Sequence, residues 1–279
     1  MSLTDQERHD ISRANELGLA PVVFVHGLWL LSSSWDPWRQ MFEENGLAAV
    51  APGWPDDPGT VAEGRADPEL FAHKMIGAVT DHYLQAIHLL DRKPALIGHS
   101  FGGLIVQRLA GLGVARATVA IDAAPFRGVL TVPLSSLRAG APILKNPANR
   151  GRAVALTFEE FQYSWANNLT ESEARLLYDT YHVPASGAPL FQDVLANLNP
   201  FTEARVDVHN PDRGPLLIIS GEKDHTIPPA ISEASYKHQR KNPGVTEIVE
   251  IPDRGHSLTI DSGWHEVAQT ALDFIRHHN

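Results

Sequence analysis

The chain has no cysteine among its 279 residues. That absence excludes a disulfide framework and a thiolate metal site. Its fourteen histidines are scattered and form no H-E-x-x-H pair, so a metal enzyme is not expected. No apolar run approaches the ~20 residues that a membrane-spanning helix needs. Positive charge is short as well: 23 Lys and Arg stand against 33 Asp and Glu, a net −10. Such a balance disfavours a phosphate backbone or an anionic lipid surface as a partner. Residues 1–13 are polar and charged and do not read as a signal peptide. The expectation is a soluble cytoplasmic protein acting on a small-molecule substrate, with no nucleic-acid partner and no membrane partner. A homo-oligomer stays open.

What is present is material for one large core. Hydrophobic residues make up 43% and charged residues 20%, which argues against disorder. Short runs at 21–26, 47–51, 95–98, 117–121, 215–221 and 246–251 read as strands, the first a continuous β-branched run that suits a strand buried on both faces. Helical patterns at 35–44, 67–90, 101–111, 229–241 and 263–277 separate most of them. Asp67-Pro68-Glu69 reads as the start of one helix, with an N-cap residue followed by proline. This alternation predicts an α/β fold with a mostly parallel, doubly wound sheet. Residues 1–20 form a polar lead-in with no assigned structure.

Between 126 and 210 the alternation stops. Three helical patterns replace it, at 158–167, 170–182 and 189–198, and Thr170 to Glu173 forms a capping box for the second. Phe126, Phe158, Phe161, Tyr163, Trp165 and Tyr181 enrich the stretch in aromatics.

The stretch Gly98-His99-Ser100-Phe101-Gly102 is a G-x-S-x-G pattern with an apolar strand before it and a helix after it. A serine on so sharp a turn takes a strained backbone and exposes its hydroxyl. The flanking glycines let strand and helix cross in contact. The helix N-terminus beneath favours an anion. A serine hydroxyl needs a base to take its proton, and histidine suits that task. A carboxylate must then orient the imidazole.

These features resemble the α/β-hydrolase family of the serine-nucleophile type, from about Pro21 to the C-terminus. Gly221 to Pro228, around Asp224, and Asp253 to Ser257, around His256, resemble the family's acid and base loops. The resemblance implies a Ser100–His256–Asp224 triad in the chain order Ser, acid, His. It implies an oxyanion hole from the N–H groups of Leu28, in His26-Gly27-Leu28-Trp29, and of Phe101. The core would be 1–125 with 211–279, and 126–210 an inserted helical cap. Trp29, Phe126, Phe161 and Trp165 are the candidate pocket walls. No cofactor and no metal is needed for that chemistry. One departure stands out: the Pro- and Gly-rich loop 52–59 lacks the family's Asp-x-x-Gly-x-Gly-x-Ser pattern, so the pocket edge is expected to differ. Trp54 either lines that edge or pins the loop.

Alternatives remain at single positions. Asp122 also ends a strand and is a second place for the acid. The His26 side chain reads as structural, bonded to loop backbone. His99 supports the turn, His225 points away from Asp224, and Asp253 and Asp261 read as solvated or capping groups. The main expectation is hydrolysis of a small to medium, largely apolar carboxylic ester. Amidase or aminopeptidase, C–C hydrolase, perhydrolase, hydroxynitrile lyase and a non-catalytic ligand receptor remain open on the same scaffold. An aminopeptidase needs acids for the substrate ammonium, and Glu159, Glu160, Glu171 and Glu173 are available. A serine rather than an aspartate nucleophile argues against dehalogenase and epoxide hydrolase chemistry.

Overall fold

The computed structural model describes residues 2–278. In chain order its elements are α1 (Asp5–Leu17), β1 (Ala20–Val25), α2 (Asp36–Glu44), β2 (Leu47–Val50), α3 (Val61–Ala66) and α4 (Ile76–His88). Then come β3 (Ala95–His99), α5 (Phe101–Gly111), β4 (Ala117–Ile121), α6 (Leu134–Leu144), β5 (Ala153–Val154), α7 (Phe158–Ser164) and α8 (Glu171–Tyr181). Last are β6 (Ala185–Ser186), α9 (Ala188–Val194), β7 (Leu216–Gly221), α10 (Pro229–Gln239), β8 (Thr246–Ile251) and α11 (Trp264–His277). Six strands form one parallel sheet in the order β2-β1-β3-β4-β7-β8. β5 and β6 form a separate antiparallel pair.

Side-chain alternation along each strand feeds two cores. Val23, Val25 and Leu96 pack against α4, α5 and α10. Val22, Phe24 and Ile97 face the other way, onto α2 and α11, where Trp38, Phe42 and Leu272 are fully buried. Both faces of the sheet are covered over β1, β2, β3, β4 and β7, which is why those strands read as continuous apolar runs; the edge strand β8 keeps Glu247 and Glu250 exposed. The strand order reverses between β1 and β3. In open α/β sheets the crevice beyond the carboxyl ends at such a switch point is where ligands bind.

The structure corrects two sequence expectations and fills in a stretch left open. In the lead-in Thr4 and Glu7 form a reciprocal capping box, and α1 follows. The helix expected over 67–90 is broken. A 3-10 turn, Pro68–Phe71, is followed by His73 at φ 62°, and α4 begins only at Ile76. The break drops Lys74 into a buried ion pair with Asp57, a tertiary contact that no helical period encodes. A fourth helix, α6, also lies between β4 and β7, where the sequence had suggested three.

At the β3–α5 turn the glycines are sterically required. A Cβ on Gly98 would collide with the Gly102 carbonyl, and it would lie 2.8 Å from Val106 Cγ1. A Cβ on Gly102 would collide with the Val25 carbonyl of β1. Backbone cannot give way as a flexible side chain can. Gly98→Ala is therefore expected to cost about 3 kcal/mol or more, at the top of the range for overpacking. A thermal melt checks this, and an unchanged midpoint would mean that strand and helix are not in contact there.

Candidate active site

Ser100 sits between β3 and α5 with φ 57° and ψ −123°. This is a backbone conformation that non-glycine residues hold at a cost of roughly 1–3 kcal/mol. Four backbone bonds hold it. Its N–H donates to the Ile121 carbonyl at 3.0 Å, and its own carbonyl accepts from Gly103, Leu104 and Ala124. The hydroxyl lies 3.0 Å from His256 Nε2. On the far side of the ring, His256 Nδ1 donates to Asp224 Oδ2 at 2.6 Å. A carboxylate only accepts, so it fixes the proton on Nδ1 and leaves Nε2 free to take the serine proton.

The loops beyond β7 and β8 supply the other two groups. Asp224 Oδ1 accepts from the N–H groups of Thr226 at 2.6 Å and Ile227 at 2.9 Å. These bonds lock the carboxylate so that Oδ2 faces the histidine. His256 is fully buried. Its ring packs edge-on against Trp165 at 4.7 Å and tilted against His99 at 4.6 Å. The segment after α7 is tied to the same loops. Ser257 donates its N–H to the Trp165 carbonyl, Thr226 its hydroxyl to the Ser164 carbonyl, and Asn167 and Asn168 donate to Lys223 and Asp253. His225 turns outward and donates to the Tyr163 carbonyl.

The second acid position is also filled. Asp122, at φ 38°, lies buried at the end of β4 and accepts the Gly221 N–H at 2.8 Å. Burial and the neighbouring Asp224 push its carboxyl well above the usual range. Burial, with His256 beside it, holds His99 well below the usual histidine range. His99, Asp122 and His256 each bring a potential ligand atom within 4.8 Å of the others. His256 already commits both ring nitrogens to Asp224 and Ser100, so the trio is not arranged for a metal. Asp261 is not solvated: it is buried, pairs with Arg254 and accepts the Gly263 N–H. Asp253 is exposed.

The loop after β1 closes over the serine. A Cβ on Gly27 would come 2.7 Å from Ser100 Cβ, so this backbone passes directly beside the hydroxyl. His26 Nδ1 donates to the Gly27 carbonyl at 2.9 Å. In a trans peptide the carbonyl and the next N–H point oppositely. Holding the Gly27 oxygen thus fixes the direction of the Leu28 N–H. Neither this N–H nor that of Phe101 donates to another group among the described residues. Behind His26 lies an arrangement the sequence did not reveal. His26 Nε2 is 3.1 Å from Asp57, whose other oxygen pairs with Lys74. Burial alone would raise the Asp57 carboxyl; His26 and Lys74 together hold it below the usual range. Trp54 stacks on His26 at 5.6 Å and donates to its carbonyl, so it pins the loop.

A model of the alpha/beta hydrolase family matches residues 22–270. The chain belongs to that family. Solved members share its fold across almost the whole length. A monoacylglycerol lipase from Paleococcus ferrophilus is 21% identical, with TM-score 0.64, over 93% of this chain and 95% of that one. Polyneuridine aldehyde esterase is 19% identical, with TM-score 0.63, over 92% and 99%. A provisionally assigned non-heme bromoperoxidase from Mycobacterium tuberculosis H37Rv is 15% identical, with TM-score 0.65, over 93% of each chain. A search of curated proteins finds no match. At such identities the likeness is one of fold, and the reaction has to be argued from the site. Among the described residues no helix of this hydrolase-family chain is long and apolar enough to cross a membrane.

A cavity of about 150 Å³ opens beside Ser100. Trp29 and Phe126 line it, with Phe101, Val129, Leu190 and Ile227. Two of the expected walls are elsewhere. Phe161 and Trp165 are fully buried, do not line the cavity, and stack on each other at 5.9 Å behind His256. Aromatic content marked the region, but not which way each ring turns. Sequence reasoning also passed over Asp193, which lines the cavity three residues after Leu190 on α9. That i, i+3 spacing was the available signal.

Proposed function

We propose that the protein hydrolyses a carboxylic ester of a small to medium, largely apolar substrate through an acyl-enzyme on Ser100. The hydrogen-bonded chain Ser100–His256–Asp224, beside an apolar cavity, carries this reading. His256 takes the Ser100 proton as the hydroxyl attacks the acyl carbonyl. The N–H groups of Leu28 and Phe101 stabilise the oxyanion, worth roughly 3–4 kcal/mol per donor in a comparable site. His256 returns the proton to the departing alcohol, and water repeats the cycle on the acyl-enzyme. Residues 126–210 act as the cap: α6 and α9 shape the cavity, while the end of α7 braces the acid and base loops. A non-catalytic receptor would keep the same bonds at 3.0 and 2.6 Å, so steady turnover of model esters is what separates it from an enzyme. The apolar walls suit an ester with hydrocarbon on at least one side of the bond.

A series of p-nitrophenyl esters from acetate to decanoate tests this, with mass spectrometry of Ser100 after fluorophosphonate treatment. We expect turnover with an optimum at short to medium chains, and a label on Ser100. Phe126→Ala should move the optimum to longer chains, since each methylene in such a pocket is worth about 1–3 kcal/mol. Trp165→Ala should instead lower kcat at every length, because its ring supports His256. A protein that cleaves no ester and leaves Ser100 unlabelled would end the proposal.

A further inference from the structure

Among the described residues Asp193, in the last turn of α9, is the single ionisable side chain in the wall of the cavity beside Ser100. Three polar neighbours in the wall are already satisfied by the protein. Thr226 donates to the Ser164 carbonyl at 2.7 Å, Ser164 to the Glu160 carbonyl at 2.6 Å, and Asn197 to the Val129 carbonyl at 2.9 Å. Asp193 is half-buried in the wall, and its carboxyl makes no hydrogen bond and no ion pair among the described residues. Burial pushes this carboxyl up to about 8, with no contribution from a charged neighbour.

Partial burial of a carboxyl without a partner is a cost to the fold. A ligand that supplies the partner removes it. Three observations select the sign of that ligand. No Lys, Arg or His lines the cavity, so an anionic group would find no counter-charge there. Asp193 stands at the carbonyl end of its helix, where the aligned dipoles also favour a cation. The protein as a whole carries a net −10, which draws cations toward it. The four glutamates that the sequence offered for the same purpose are placed elsewhere. Glu160 caps α7, Glu173 accepts the Ser262 N–H, and Glu159 and Glu171 are exposed.

We propose that Asp193 anchors a protonated amine, so that the substrate is an ester whose apolar body carries a basic nitrogen. The ester part rests on the hydrolysis proposed above; the amine subsite does not. The test uses Ser100→Ala protein, which keeps the cavity and removes the nucleophile. Calorimetry at about pH 9, where a carboxyl raised to about 8 is ionised and an alkylammonium, like lysine at ~10.4, is still protonated, compares n-pentylammonium with 1-pentanol, matched in length and differing in charge. The ammonium should bind at least ~10-fold tighter, and Asp193→Asn in the same background should bring the ratio to about one. Asp193→Glu, whose carboxyl reaches one methylene further, should move the preference to n-butylammonium; this variant serves if the asparagine form does not fold. Equal binding of amine and alcohol by the Ser100→Ala parent would overturn the subsite, as would a ratio unchanged by Asp193→Asn. Wild-type ester turnover is measured separately. Neutral-ester cleavage with a ratio of one removes only the subsite, whereas a tenfold ratio without any ester cleavage removes only the hydrolysis.

Discussion

Ser100→Ala is expected to lower turnover of every accepted ester by about 10⁶-fold, the scale on which a serine nucleophile acts together with its histidine. The fold should survive the change. Among the described residues the hydroxyl's one partner is His256, and the bonds that hold the strained turn are all made by the Ser100 backbone. Alanine meets the same φ and ψ with no larger side chain, so the melting temperature should move by only a few degrees. What remains of the rate would come from the Leu28 and Phe101 N–H groups and from substrate placement, which do not depend on the hydroxyl. The checks are steady-state kinetics and a melt on the purified variant. Retained turnover in a folded protein would remove Ser100 from the mechanism.

Asp224→Asn is expected to cost about 10⁴-fold in kcat, as loss of the correct histidine tautomer does in a serine protease. The direction follows from the bonds around the carboxylate. The N–H groups of Thr226 and Ile227 both require an acceptor at Oδ1. An asparagine must keep its oxygen there and turn its NH₂ toward His256. The ring then accepts at Nδ1 and carries its proton on Nε2, where it can no longer take one from Ser100. Asp122→Asn should change kcat by less than about tenfold, since the acid beside His256 stays in place. Its Oδ1 accepts from Gly221, and burial with Asp224 nearby favours the protonated form. An amide reproduces that pattern of one acceptor and one donor. Stability should separate the two variants further. A carboxyl with a raised folded pKa contributes fully below its unfolded value, ~3.9, and that contribution is lost as pH rises toward the folded value. Asparagine carries no such penalty. Asp122→Asn should therefore gain in melting temperature relative to wild type as pH rises above ~4. The reverse ranking of the two variants in kcat would move the working acid to β4.

The sheet and the elbow were legible because their signals are local. Buried parallel strands must be short apolar runs, and helix α5 was placed at 101–111 from the elbow alone. The three loops set apart as Ser, acid and base also meet in space, because parallel strands deliver all their carboxyl ends to one edge. Other features were present in the sequence but weak. Thr4-Asp5-Gln6-Glu7 is a capping box, yet the helix after it is so polar that no apolar stripe announces it. Long-range pairing was not legible at all. Lys74 breaks a plausible helix to reach Asp57, and Asp57 supports His26 from a loop that reads only as proline and glycine. Leu70, Phe71, Met75 and Val79 follow a helical period on both sides of a break that a buried charge imposes.

The bonds between the end of α7 and the loops of Asp224 and His256 divide the upper half of the molecule by how freely it can diverge. Substitutions on α6 and α9 touch the cavity at Leu137, Gly140, Leu190 and Val194 without touching Ser100's partners, so lineages can exchange them and inherit the chemistry unchanged. Trp165, Asn167 and Asn168 have no such freedom, because their backbone and amides hold the base and acid loops. On the proposed function, substrate range would reside on α6 and α9 and reaction type on the segment after α7, so related chains would be expected to differ first along α6 and α9.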